Sequence, residues 1–202
     1  MANIHATAII DSSAKIDPSV EIGAYTIVGK NVVIRSGSKI ASHVVIQDNT
    51  EIGENNEIFQ FSSIGEIPQD KKYQGEESKL IIGKNNTIRE YCTINKGTKA
   101  GGNSTTKVGD NNWIMAYVHI AHDCVVGNNN IMSNATSLAG HVEVGNYTVL
   151  AGYVLVHQFC KVGDYAFAGM GAALNQDLPP YLLATGSFAK NSWFKQRGFK
   201  KE

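Results

Sequence analysis

An apolar residue recurs at every sixth position over most of this chain, and that period constrains the fold more than any other feature. From Ile10 the series runs through Ile16, Ile22, Val28, Ile34, Ile40, Ile46, Ile52 and Ile58 to Ile64. It returns at Ile82, Ile88 and Ile94. A shift of two residues follows, after which it continues from Val108 through Ile114, Ile120, Val126, Met132, Leu138, Val144, Leu150, Val156, Val162 and Ala168 to Leu174. An amphipathic helix needs apolar spacings of three and four, which do not organise this chain. Four residues after each anchor stands a smaller side chain, among them Val20, Thr26, Ser38, Asn56, Thr136 and Ala166. A large aliphatic followed by a smaller inward residue suits a narrow stacked coil, whose interior must be filled without strain. Glycines directly after anchors, such as Gly23, Gly53 and Gly127, read as corners where the backbone turns tightly. The pattern predicts an all-β coil of hexapeptide repeats in which each turn stacks only on its neighbours.

Two interruptions stand out. Residues 66–79 lose the anchors yet keep phase, because Ile64 and Ile82 are eighteen residues apart. Residues 96–107 carry Gly97, Gly101 and Gly102 and change the phase. Both predict loops leaving the coil, and loops on a rigid scaffold are where binding residues gather. Cys92, Cys124 and Cys160 each fall four residues after an anchor, so they are expected to pack inward rather than form a disulfide or a zinc ribbon.

Composition narrows the partners. Eighteen Lys and Arg balance eighteen Asp and Glu, which leaves no net field to gather nucleic acid or an anionic membrane. No apolar run approaches the length of a bilayer span, and the opening residues Met1 to His5 do not read as a signal peptide. The expectation is a cytoplasmic protein with no integral membrane segment.

The pattern resembles the hexapeptide-repeat proteins. That resemblance implies a left-handed parallel β-helix with three hexads per turn, roughly eight turns here, and rungs about 4.8 Å apart. On an eighteen-residue turn Ile120, Leu138 and Val156 stack, which brings His122, His141 and His157 near one edge on consecutive turns. His122 is the candidate general base, since a neutral imidazole can take the proton of an alcohol that attacks a carbonyl. Asp123 beside it could hold the imidazole tautomer. Gly140 could offer an unobstructed backbone N–H to a developing oxyanion.

At these residues the likeness narrows. The segments His119-Ile120-Ala121-His122-Asp123-Cys124, Leu138-Ala139-Gly140-His141-Val142 and Val156-His157-Gln158-Phe159-Cys160 resemble those of the UDP-N-acetylglucosamine 3-O-acyltransferases that begin lipid A synthesis. The loop from Gln69 to Glu76, the run Asp177-Leu178-Pro179-Pro180-Tyr181 and the triplet Arg197-Gly198-Phe199 match that family as well. The resemblance implies transfer of a 3-hydroxyacyl chain from acyl carrier protein to the sugar 3-hydroxyl of a UDP-amino sugar, without metal or organic cofactor, by a homotrimer with sites between subunits. It casts His122, Asp123 and Gly140 as base, support and oxyanion donor. His141 would position the acyl donor, Asp70 and Lys72 the sugar and phosphate, and His157 and Gln158 the nucleotide side. Met170 would lie at the end of the acyl channel. Its volume predicts a medium chain of about ten carbons, since a methylene or two in a packed pocket shifts preference by about 1–3 kcal/mol.

The chain departs from that family at its C-terminal end. Residues 1–186 are expected to form the β-helix acyltransferase domain, and residues 187–202 a short basic tail, the remnant of the family's helical region. Phe188 stands where many members have histidine, and several residues are missing between Ala189 and Arg197. Arg197 is expected to be a substrate ligand within a run that either meets phosphates and the acidic carrier protein or is a solvated tail. Three other readings stay open. One is a zinc hydratase built on three histidines, although His122, His141 and His157 sit at different offsets from their anchors. Another is a hexapeptide transferase that uses acetyl-CoA or acts on a 3-amino sugar. The last is a shortened paralogue that binds carrier protein or nucleotide without turnover.

Overall fold

A computed structural model describes residues 3–99, 102, 104–187 and 190–193. They form twenty-eight short strands, most of them two residues long, separated by corners. The strands fall into three sheets of eleven, nine and eight, visited in rotation along the chain. Every pairing within the coil is parallel, so the architecture is the left-handed parallel β-helix with a triangular section. Leu182–Thr185 closes the first sheet in parallel, and Lys190–Trp193 adds to it as an antiparallel strand. No helix among the described residues is long and apolar enough to cross a membrane.

The anchors fill the interior as the hexad pattern requires. On the second sheet Ile46, Ile64, Ile94, Ile120, Leu138, Val156 and Leu174 stack one above another. All seven are buried, and so are Val44, Ser62, Cys92, Cys124 and Val142 in the smaller inward slots. Nine strands on this sheet make nine turns, one more than the anchor count suggests. Burial pushes the thiols of Cys92 and Cys124 up to about 12, so both are packing groups rather than nucleophiles.

The two interruptions are insertions into single hexads. Ile82 pairs with Ile52, not with Ile64, and Ile64 pairs with Ile94. The first excursion thus adds twelve residues to a turn, two whole hexads, which is why the sequence phase survives it. The second adds eight and so shifts the phase. A column of buried asparagines carries the register past both. Asn86 N–H donates to Asn56 Oδ1 at 2.9 Å, Asn112 N–H to Asn86 Oδ1 at 2.8 Å, and Asn130 N–H to Asn112 Oδ1 at 2.9 Å.

The corners are not turned by the glycines that follow the anchors. The left-handed backbone falls two positions later, three after the anchor, on residues such as Tyr25, His43, Phe61, Tyr91 and Tyr117. The glycines are needed because the next rung is close: a Cβ on Gly53 would lie 2.4 Å from the Gly83 carbonyl oxygen. Left-handed backbone costs an L-residue about 1–2 kcal/mol. The five aromatic corner residues stack in an unbroken column with ring centroids 4.9–5.4 Å apart. Aromatic pairs contribute about 0.5–1.5 kcal/mol each, enough to offset much of that strain.

Ile94 is fully buried between two rungs, whereas Ile9 is 65% exposed on the same sheet. Ile94→Ala is expected to cost about 2–5 kcal/mol in urea unfolding and Ile9→Ala less than about 0.5 kcal/mol. Equal costs would mean that the anchors do not carry the core.

Candidate active site

The corner between the second and third sheets collects the chemistry. His122 lies two residues after Ile120, His141 three after Leu138 and Phe159 three after Val156. Asp123, His141 and Phe159 all take the left-handed corner conformation, with φ of 59°, 63° and 66°. Stacked turns then place their side chains along one edge. The His122 and His141 rings stand perpendicular at 5.1 Å, and His141 stacks on Phe159 at 4.5 Å. The third ring of the ridge is therefore Phe159. His157, only one residue past its anchor, is exposed instead, with Nδ1 at 3.2 Å from its neighbour's carbonyl oxygen.

His122 and Asp123 form a buried pair, 6% and 8% exposed, with Nδ1 at 2.9 Å from Oδ2. A carboxylate on Nδ1 places the ring proton there and leaves Nε2 with its lone pair. Asp123 is held in turn from the second excursion. The Thr98 N–H lies 3.0 Å from both carboxylate oxygens, and the Thr98 hydroxyl donates to Oδ2 at 2.7 Å. The Asp123 N–H donates to Thr106 Oγ1 at 2.8 Å.

Gly140 packs its Cα against the His122 ring. A Cβ there would lie 2.6 Å from Cε1 and 2.7 Å from Nε2, so the imidazole position depends on glycine. Among the described residues the Gly140 N–H donates to no protein acceptor. At the same corner position several turns earlier, the Lys30 N–H is taken by Asp48 Oδ1 at 2.7 Å. Among the described residues Gly140 thus presents an unengaged donor beside the His122 imidazole.

His122 and Gly140 border a cleft of about 330 Å³ whose lining also includes Gln69, His119, Ser137 and Gln158. Gln69 brings the first excursion to the site. Asp70 and Lys72 lie beyond it within this chain. Asp70 Oδ1 accepts the Lys72 N–H at 2.9 Å, and Lys72 borders a separate depression shared with Glu76 and Lys99. Met170 stands on the corner between the first and second sheets, 77% exposed and away from the His122 edge. Arg197 lies outside the described residues. Ligand atoms of His122, Asp123 and His141 come within 4.8 Å of one another, a set that differs from the three-histidine set weighed for zinc. The Asp123 oxygens are already engaged by Thr98 and His122, so the set is organised as a hydrogen-bonded pair.

His119 is the site residue that a reading of the His122–His141–His157 spacing passes over. It precedes anchor Ile120, faces outward into the cleft, and sets Nδ1 at 2.7 Å from Thr93 Oγ1. The signal was available: strand side chains alternate, so the residue before a buried anchor points out. Burial, helped by the charge of His122, holds the His119 imidazole below its ordinary value. The folded state then binds fewer protons than the unfolded chain below pH ~6.5. This contribution to stability is complete above that pH and is lost as pH falls toward the folded value. His119→Asn is expected to flatten the acid-side slope of unfolding free energy against pH, measured by urea titration from pH 7 to pH 5. An unchanged slope would place the proton linkage elsewhere.

Comparison with known proteins agrees with this geometry. The model of the bacterial transferase hexapeptide (six repeats) matches residues 25–60 and 105–136. An acyl-[acyl-carrier-protein]–UDP-N-acetylglucosamine O-acyltransferase from Albidiferax ferrireducens is 50% identical over 207 aligned positions, covering all of this chain and 78% of that protein. A protein of the same name from Neisseria gonorrhoeae is 54% identical over 143 positions, which cover 71% of this chain and 55% of the relative. Among solved structures, LpxA from Acinetobacter baumannii superposes with a TM-score of 0.93 at 48% identity, covering 94% of this chain and 73% of that one. UDP-N-acetylglucosamine O-acyltransferase from Moraxella catarrhalis gives 0.95 at 46%, covering 98% and 79%. With a relative half identical over the whole of this chain and the same coil in the solved structures, this chain belongs to the acyl-[acyl-carrier-protein]–UDP-N-acetylglucosamine O-acyltransferase family.

Proposed function

We propose that this chain transfers a 3-hydroxyacyl group from acyl carrier protein to the 3-hydroxyl of UDP-N-acetylglucosamine, the opening step of lipid A synthesis. The observation that carries the reading is the buried His122–Asp123 pair, 2.9 Å apart, beside the free Gly140 N–H. His122 Nε2 takes the proton of the sugar hydroxyl as its oxygen attacks the thioester carbonyl. Asp123 stabilises the imidazolium through Nδ1–H, and Gly140 N–H donates to the oxyanion of the tetrahedral intermediate. Collapse breaks the carbon–sulfur bond, and His122 returns the proton to the departing thiolate. Every atom and charge is then accounted for by groups of the two substrates and this chain.

The remaining assignments follow the same reading. His141, locked by its N–H to the His122 carbonyl at 3.0 Å, positions the acyl donor. His157 and Gln158 line the nucleotide side, Asp70 and Lys72 hold sugar and phosphate, and Arg197 binds substrate. Residues 1–186 are the catalytic coil, and 187–202 follow as a basic tail. The working form is a cytoplasmic homotrimer. Its support is a set of large apolar side chains bare in a single chain: Leu155 on the wall of the cleft, Phe159 on the His141 ridge, and Tyr153 and Met170 on the corner between the first and second sheets. Large apolar side chains left bare on and beside one sheet favour an interface there. A neighbouring subunit laid over that edge turns an open cleft into a channel, with Met170 at its end.

Purified protein is expected to acylate UDP-N-acetylglucosamine from 3-hydroxyacyl carrier protein, and His122→Ala to lower the rate about 10²–10⁴-fold. Equal, appreciable rates in both proteins would exclude His122 as the base. Carriers loaded with ten to fourteen carbons provide a second check. The wild type is expected to prefer about ten carbons and Met170→Gly to shift the preference to longer chains, the discrimination reaching about 10–200-fold. A fourteen-carbon preference in the wild type would remove Met170 from the channel end.

A further inference from the structure

Three corner carboxylates two positions past their anchors share a task. Asp48 Oδ1 accepts the Lys30 N–H, Asp110 Oδ1 the Lys84 N–H and Asp164 Oδ1 the Asn146 N–H, each closing one turn onto the next. Asp123 stands one position later at its corner, and both its oxygens face the second excursion instead. Three residues of that excursion surround it. Thr98, itself 1% exposed, supplies a backbone N–H and a hydroxyl to the carboxylate. Thr106 accepts the Asp123 N–H. Gly102 lies directly over the carboxylate, since a Cβ there would fall 2.1 Å from Oδ1 and 2.4 Å from Cγ.

We infer that the second excursion is a cradle that aims Asp123 at His122, and that Thr98 is its positioning residue. The inference rests on the acyl-transfer reading and adds to it a residue that touches neither substrate nor reacting atom. An aspartate next in sequence to its histidine, on a left-handed corner, has water as its natural partner. Donors from Thr98 occupy it on one side, and Gly102 excludes solvent above it. What remains open to Oδ2 is Nδ1–H of His122, so one ring tautomer is held and Nε2 stays an acceptor. The hydrogen bond from a buried hydroxyl gives the carboxylate a fixed partner in place of water. The excursion thus acts from behind the catalytic pair, and the small residues along it serve close approach.

The test compares Thr98→Val, which keeps the shape and the backbone N–H, with Thr98→Ser, which keeps the hydroxyl. Thr98→Val is expected to lower kcat about 10-fold or more while KM for UDP-N-acetylglucosamine stays within about twofold, and Thr98→Ser to recover kcat to within about threefold of wild type. In an Asp123→Asn background Thr98→Val should have no further effect, because the residues act as one unit. The downfield proton resonance of His122 Nδ1–H should be present in the wild type and in Thr98→Ser and lost in Thr98→Val. An undiminished kcat in Thr98→Val, or an equal loss in the Asp123→Asn background, would overturn the inference. A wild type inactive in transfer would instead defeat the acyl-transfer reading, and the resonance would then decide whether the cradle exists by itself.

Discussion

Hydrogen bonding of each turn to the next, along the coil axis, is the constraint on which the remainder of this molecule depends. Residues such as Ile120, Leu138 and Val156 sit in strict register because the N–H of Ala121 reaches the Leu138 carbonyl and that of Ala139 the Val156 carbonyl. A rung of two residues cannot slip without unpairing both its neighbours. Side chains at equal offsets from stacked anchors are therefore held about 4.8 Å apart. Close approach between turns comes at little extra cost in such a lattice: Gly140 meets the His122 ring because each lies two residues after its own anchor.

The same lattice explains the cost and use of the corners. Left-handed backbone at so many positions three past an anchor would strain an isolated peptide, yet it aligns successive side chains along an edge. On one edge the result is a column of rings, and on another it is Asp123, His141 and Phe159. Structural stacking and the candidate site are thus one geometry filled with different residues. Which residue occupies the position decides whether the edge merely stiffens or presents chemistry.

Much of this was legible from spacing. The six-residue period gave the core anchors, the smaller inward slots and the buried cysteines, because burial in a coil repeats with the chain. His122, Asp123 and Gly140 were legible because they share one edge through simple eighteen-residue steps. His157, at an offset of one from its anchor, lies exposed at the strand end, whereas an offset of three puts Phe159 on the ridge beside His141. The glycines after anchors were assigned to the turn itself, although their need is for room between rungs. Thr93, Thr98 and Thr106 could not be read at all, since they reach the site from other turns and other excursions. No period links them to His122. Resemblance to the acyltransferases supplied what spacing could not, namely the substrates and the roles.

The two excursions differ in length by four residues, and their exit strands slip register between Ile64 and Glu66, yet both return to the coil on strands that pair in unbroken parallel register. What the scaffold counts is where a segment re-enters, since pairing above and below dictates each strand's place. Material between exit and re-entry is free to vary in length and content, so long as its ends meet adjacent rungs. A coil built this way separates the part that must be repeated from the part that can be invented. New chemistry can be spliced in at any corner without renegotiating the core.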